Sequence, residues 1–413
     1  MEALLFRYEL IRYLTSRLTF GISRRLWSAR YAPLHLVRLE GPRAVRPGWT
    51  TLGVLASGIC GTDLNMMTGQ ESLFLQPEAT YPFVPGHELV GRVEKAAVGT
   101  RSGRPVEVRP GDRVAVWPVL GCVARGCSPV CPSCAAGWEG LCRQRQGFWP
   151  GPGLGIGFNR DTGGGWSEKC SAHVAQLWLL PEHVSAEDAL LLDPAATALA
   201  ALLRTQAPEP QKTLVIGGGT IGLLTALLHA RLNLGGECEV LVRHEYQKAW
   251  AAGHGLAATV VRSEAAFRDW AEQRTLPVTR VFGYGPVYQG QYDRVIDAAG
   301  TASSLTWALR AVRPRGTVAL VAAPGSLKGI DPTPVWYREL SIRGIFDYGP
   351  VPWQGKWVHP YEVLIPCLAE GSLAMRDLIT HEFPLGDYVR AFDAALRREQ
   401  SGAIKVIFRP AAA

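Results

Sequence analysis

Cys60 and His87, 27 positions apart, are the residues of this chain best suited to hold a metal ion. Thiolate sulfur and imidazole nitrogen are common zinc donors, and Glu88 sets a carboxylate beside them. Alone, such a pair carries little weight. Further on comes a cysteine cluster, Cys127-x3-Cys131-x2-Cys134-x7-Cys142, with Cys122 as a fifth candidate. Four thiolates on a tight loop make a closed tetrahedral zinc site, which is structural because no position is left for a substrate. Next comes the glycine turn Gly217-Gly218-Gly219-Thr220-Ile221-Gly222. It follows the apolar run 213–216 and leads into a helical pattern over 223–232 and a strand at 239–242. That setting makes G-x-G-x-x-G a dinucleotide signature; without it the match is weak. A metal and a dinucleotide together point to redox chemistry.

The elements that position these residues follow from pattern. Strands are expected at 1–6 and 34–39, at 50–57 leading into Cys60, and in short alternating runs from 89 to 117. The stretch 64–81 reads as a loop rich in apolar residues, and Met66, Met67 and Phe74, with Trp117, suggest an apolar substrate pocket. A helical run, alanine-rich over 195–203, precedes the glycine turn, and strand-to-turn sequences recur at 294–300 and 317–325. A helix over 387–398 and a strand over 403–408 close the chain.

At 413 residues the chain is long enough for two or three domains, and 47% hydrophobic with 19% charged residues is a globular balance. No apolar run is long enough for a membrane span, and no secretory cleavage pattern is visible. Nine cysteines, five of them between Cys122 and Cys142, suit metal binding in a reducing compartment, so a cytoplasmic location is expected. The net charge of +7 is unevenly placed: residues 1–46 hold nine arginines against three acids. Nucleic acid or an anionic membrane attracts such a segment, but an arginine-studded helix face is the plainer reading, and no nucleic-acid partner is expected. Between the first two strands, Leu4, Leu5, Tyr8, Ile11, Leu14 and Leu18 recur at helical spacing, with arginines at 7, 12, 17, 24 and 25 mostly on other faces. This insertion, about 8–31, suits a lid, a dimer arm or a membrane-surface helix; the plainest expectation is a helix packed on its own domain.

Taken together, Gly58-Ile-Cys-Gly-Thr-Asp63, Tyr81-Pro-Phe-Val-Pro-Gly-His-Glu88, Gly111-Asp-Arg-Val114, the cysteine cluster, the glycine turn and Ala403-Ile-Lys-Val406 resemble the medium-chain, zinc-dependent alcohol dehydrogenase family. The resemblance runs from about residue 34 to 410. It implies an α/β fold: a GroES-like, β-rich catalytic domain (1–194, with the structural zinc loop at 122–142), a Rossmann doubly wound parallel sheet (195–345), and a return to the first domain (346–413). It assigns Cys60 and His87 as catalytic zinc ligands, Glu88 as a carboxylate near the metal, and Asp193 as the third-ligand candidate where relatives carry Glu or Cys. Thr62 is similar to the family's proton-relay hydroxyl. In the structural cluster, Cys127 stands one residue from the usual position, with Ser128 in its place.

The resemblance implies two zinc ions per chain and hydride transfer between an alcohol or carbonyl substrate and a nicotinamide held at Gly217, Gly219, Thr220, Ile221 and Gly222. An acid about 20 residues after the glycines would bind the ribose diol of NAD. This chain has Arg243-His244 there, cations suited to a 2′-phosphate, so NADP is expected over NAD, with Glu245 as the counter-signal. A homodimer or homotetramer is expected. The alternatives are a polyol or sugar dehydrogenase, a zinc-free quinone or enoyl reductase on the same fold, and a non-catalytic dinucleotide-binding scaffold. Intact metal and relay positions disfavour the last two.

Overall fold

A computed structural model describes the chain except residues 24–26, 43–45, 275–277, 283–284, 324, 326 and 411–413. Arg24, Arg25 and Pro324, used in the sequence reading, lie outside the described residues. The chain divides into two compact units, 1–193 with 361–413, and 194–360. The return to the first unit comes at Tyr361 rather than near 346. The Pro- and aromatic-rich stretch taken for the boundary instead forms a small antiparallel hairpin of the second unit, Val351–Trp353 with Lys356–Val358.

The first unit is built on a seven-stranded, largely antiparallel sheet. Its central strand, Trp49–Gly58, pairs with Leu89–Val93 on one side and, at its two ends, with Lys169–His173 and Lys405–Phe408. Alternation along Leu52, Val54 and Ala56 sends these side chains into the core, where the leucine and the valine each contribute about 2 kcal/mol. One core cluster gathers Trp166, Phe392 and Phe408, with ring centroids about 5.5 Å apart. The Trp166 indole donates to the Gly58 carbonyl at 3.1 Å, which fixes the end of the strand that leads to Cys60.

Strand β1 (Glu2–Phe6) and strand β2 (Leu34–Arg38) pair antiparallel, and between them runs helix α1 (Leu10–Ile22). The expected insertion is therefore a helix docked on its own unit by one face. Ser16 donates to the Met67 carbonyl and accepts from the Trp27 indole at 2.6 Å, and Trp27 lies in the same core cluster as Trp166. The stretch after Cys60, expected as a loop, is instead helix α2 (Gly61–Thr68) followed by a 3-10 turn, Leu73–Glu78.

In the second unit six parallel strands run in the order Ala257–Val260, Cys238–Val242, Thr213–Ile216, Tyr292–Asp297, Val312–Leu320, Ser341–Gly344. The chain starts in the middle, winds to one edge and then to the other, the Rossmann order. The strands from the sequence reading are present, some wider (Trp49–Gly58, Cys238–Val242) and some narrower (Leu34–Arg38, Lys405–Phe408) than read. No helix among the described residues is long and apolar enough to cross a membrane.

Candidate metal and dinucleotide sites

Cys60 is not on a loose loop but is the N-cap of α2, with its backbone extended. Asp63, three residues on, accepts from the Cys60 amide at 2.8 Å and so closes the first turn. Asp63 is fully buried, and its other oxygen faces His87 Nδ1 at 3.6 Å. Burial opposes a charged imidazole at His87. The negative charge of Asp63 and the neighbouring Cys60 outweigh it, holding the pKa well above the usual histidine value. Phe158 lies 5.0 Å from the imidazole, centroid to centroid.

Glu88 follows on the same segment, and ligand atoms of Cys60, His87 and Glu88 lie within 4.8 Å of one another. Thr62 Oγ1 is 3.8 Å from the Cys60 sulfur. The Glu88 carboxylate is buried and ion-paired with the Lys405 ammonium, itself buried, which also donates to the Ile59 carbonyl at 3.2 Å. A β-carbon at position 58 would stand 2.0 Å from Glu88 Oε2, so a side chain there would have to push the pair aside. Asp193, in the first turn of the helix Leu192–Arg204, does not join this group among the described residues. A sulfur, a nitrogen and a carboxylate oxygen at this spacing fit zinc.

A second group consists of Cys122, Cys131, Cys134 and Cys142, all buried, with sulfurs within 4.8 Å of one another. Cys122 thus stands where Cys127 was expected. The reason is local: Cys122 opens a helical turn, Cys122–Arg125, that ends at Gly126 with φ 65°, and the reversal sends the Cys127 thiol to the Gln144 carbonyl, 3.9 Å away. Backbone amides of Cys131, Arg143 and Gln144 donate to the sulfurs of Cys122, Cys131 and Cys142 at 3.4–3.5 Å. The crowded sulfurs share protons: hydrogen bonding to Cys142 raises the Cys134 thiol, and the same bond, with the Gln144 amide, lowers Cys142. A group that already stabilises thiolate with amide dipoles, and closes on all sides, fits a structural zinc. Arg125, buried beside it, donates to the carbonyls of Leu120, Pro150, Gly151 and Gly153, tying the glycine-rich loop to the cysteine loop.

In the second unit, the glycine turn is bare because side chains have no room. Gly217 has φ 121°, and a β-carbon on Gly222 would lie 1.8 Å from the Gly217 carbonyl oxygen. Gly219 caps the helix Thr220–Arg231, whose first amides point at the turn. Ile221 stands in that first helical turn. A bare turn opening a helix in this way fits a pyrophosphate. Arg243 and His244 follow the strand Cys238–Val242, and both amides donate to Gln247 Oε1, at 3.0 and 3.1 Å, which leaves the Arg243 side chain exposed. Glu245 faces Arg262 at 3.9 Å, and Arg262 Nε donates to the Arg243 carbonyl at 2.9 Å.

Sequence reasoning missed Asp63, Lys405, Arg125 and Arg262. Asp63 and Lys405 stood in two of the quoted motifs, but their roles did not show there. The expected apolar pocket does not form as read: Met66 and Met67 are buried in the core, Trp117 is 5% exposed, and Phe74 is 87% exposed.

Residues 46–182 match the alcohol dehydrogenase GroES-like domain, and residues 221–359 match the zinc-binding dehydrogenase family. A relative from Mycobacterium tuberculosis, named as a zinc-binding alcohol dehydrogenase, is 30% identical over 89% of this chain and 84% of its own. Sorbitol dehydrogenase of Arabidopsis thaliana is 28% identical, covering 89% of each chain. Among solved structures, a zinc-binding dehydrogenase of Sinorhizobium meliloti bound to NADP gives a TM-score of 0.67 at 26% identity, covering 91% of this chain and 95% of that one. Galactitol-1-phosphate dehydrogenase of Escherichia coli shares the fold, with a TM-score of 0.69 at 21% identity, covering 99% of this chain and 100% of that one.

Proposed function

Since this chain belongs to the zinc-binding alcohol dehydrogenase family and is an NAD(P)-dependent oxidoreductase, we propose that it interconverts a primary or secondary alcohol and its carbonyl through Cys60, His87 and Glu88. The convergence of those three donors beside the Thr62 hydroxyl carries the reading. When bound, zinc supplies a Lewis acid for the substrate oxygen and the nicotinamide accepts or donates the hydride.

The chain's own groups do the rest. Asp63 faces Nδ1 of His87 and sets the imidazole's tautomer, leaving the other nitrogen for the metal. Lys405 pairs with Glu88 inside the core, a buried cation that holds the carboxylate beside the Cys60 and His87 donors. Thr62 holds the substrate's hydroxyl proton and hands it outward. Cys122, Cys131, Cys134 and Cys142 hold a second, structural zinc, giving two per chain.

NADP is the preferred cofactor. The exposed guanidinium of Arg243, with His244 and Arg262 near it, suits a 2′-phosphate, and Glu245, the acid that would otherwise claim the ribose, is itself faced by Arg262. A second reading, oxidation of a polyol or sugar, is favoured by the loss of Met66 and Met67 from the supposed apolar pocket and by the polyol-acting relatives. Turnover of medium-chain aliphatic alcohols beside sorbitol-like polyols, with each cofactor titrated separately, tests both. Turnover with neither class would overturn the assignment.

A further inference from the structure

Helix α1 has two faces of opposite fate. Tyr13 and Ser16 are buried against the unit, and Phe20 packs at the edge of its core cluster. On the other side Leu10, Ile11, Leu14, Leu18 and Ile22 are 59%, 82%, 46%, 65% and 75% exposed. At 3.6 residues per turn these five fall in one arc of about 120°. A helix exposed on a polar face is ordinary; one that turns its most apolar arc to solvent is not.

The surroundings of that arc are basic. Arg17 lies at its margin, and Arg7 and Arg30 are exposed on the same insertion. Residues 1–46 carry nine arginines and three acids, almost the whole net positive charge of the chain. The helix is held rigidly from behind: Arg12 donates to the carbonyls of Arg30 and Ala32, and Ser16 is bonded to Met67 and Trp27. Nearby, Tyr8 accepts a hydrogen bond from Gln76, in the 3-10 turn whose Phe74 is 87% exposed. With 13 residues α1 is about 20 Å long, too short to span a bilayer but suited to lie in its interface.

We propose that this exposed face of α1 docks the enzyme on an anionic membrane surface, with Leu10, Ile11, Leu14, Leu18 and Ile22 entering the headgroup region and the flanking arginines meeting lipid phosphates. Charge decides between lipid and a second copy of the chain. A two-fold contact through this face brings two strongly basic segments together, which like-charge repulsion opposes, whereas an anionic bilayer complements both the apolar arc and its cationic rim.

The test is co-sedimentation of the full-length protein with vesicles of phosphatidylcholine containing about one third phosphatidylglycerol, and with vesicles of phosphatidylcholine alone. The expected result is binding to the anionic vesicles at least ~10-fold tighter than to the neutral ones, weakened by salt. Ile11→Glu with Leu18→Glu should abolish it while turnover and melting temperature stay unchanged, and the milder Ile11→Gln should weaken it if the double variant does not fold. Absence of vesicle binding overturns the proposal, as does binding that the variants leave intact. So does a fall in solution mass on Ile11→Glu with Leu18→Glu without vesicle binding, which would make α1 a contact between copies.

Discussion

At Cys60 three chemically different donors meet: a half-buried thiol at a helix N-cap, an imidazole and a carboxylate, with Asp63 beside the first two and Lys405 beside the third. At Cys122 four identical sulfurs are buried together, and what surrounds them is backbone amide and the Arg125 clamp on a neighbouring loop. Mixed donors with charged partners leave room for a substrate oxygen; uniform donors closed in by amides do not. The two groups share one unit, yet the first suits reaction and the second suits holding a loop.

Substitutions can break that contrast, beginning with the largest effect. Cys60→Ser should lower turnover by on the order of 10³-fold, about 4 kcal/mol of transition-state stabilisation, with an unchanged melting temperature. Surviving activity would remove the mechanistic half of the contrast. Lys405→Met leaves the Glu88 carboxylate buried and unpaired and should cost about 3–5 kcal/mol of stability in denaturant titration, with most recovered by adding Glu88→Gln. If the single and double variants unfold alike, Glu88 and Lys405 are not coupled.

At the closed group the expected signature is reversed. Cys134→Ser should lower the melting temperature by roughly 5–10 °C, while activity per folded molecule at low temperature stays within about two-fold. Cys127→Ser should shift stability by less than about 1 kcal/mol, because its thiol lies outside the group of four sulfurs that stand within 4.8 Å of one another. Equal losses for the two would restore Cys127 as a ligand. In the second unit, Arg243→Ala should weaken NADP about 10-fold and NAD no more than about two-fold in fluorescence titration, the scale of one charge-assisted phosphate contact.

How far these features were legible follows from how local their causes are. The glycine turn was readable because its glycines answer to their own backbone: φ 121° at Gly217 and a 1.8 Å approach at Gly222 leave no other residue. Cys60 and His87 were readable as donor types set in a dense motif. The choice between Cys122 and Cys127 was not, because it turns on a single helical turn ended by Gly126, which cysteine spacing alone does not encode. Helix α2 was hidden because Met66 and Met67 looked like pocket lining on a loop, when they are core positions of a short helix capped by Asp63. Lys405 stood in the motif 403–406, but its role was not legible, since its partner Glu88 lies 317 residues away in the chain. The apolar arc of α1 was visible as periodicity, but which arc faced inward depended on Tyr13, Ser16 and Trp27 finding the core first.

Metal content per chain, measured on wild type, Cys60→Ser and Cys134→Ser purified without chelator, tests the two-site account most directly. Two zinc ions in the wild type and one in Cys60→Ser, with the closed site still filled and the fold intact, is the predicted result. One zinc in both the wild type and Cys60→Ser, lost only in Cys134→Ser, would contradict it by leaving Cys60, His87 and Glu88 without a metal.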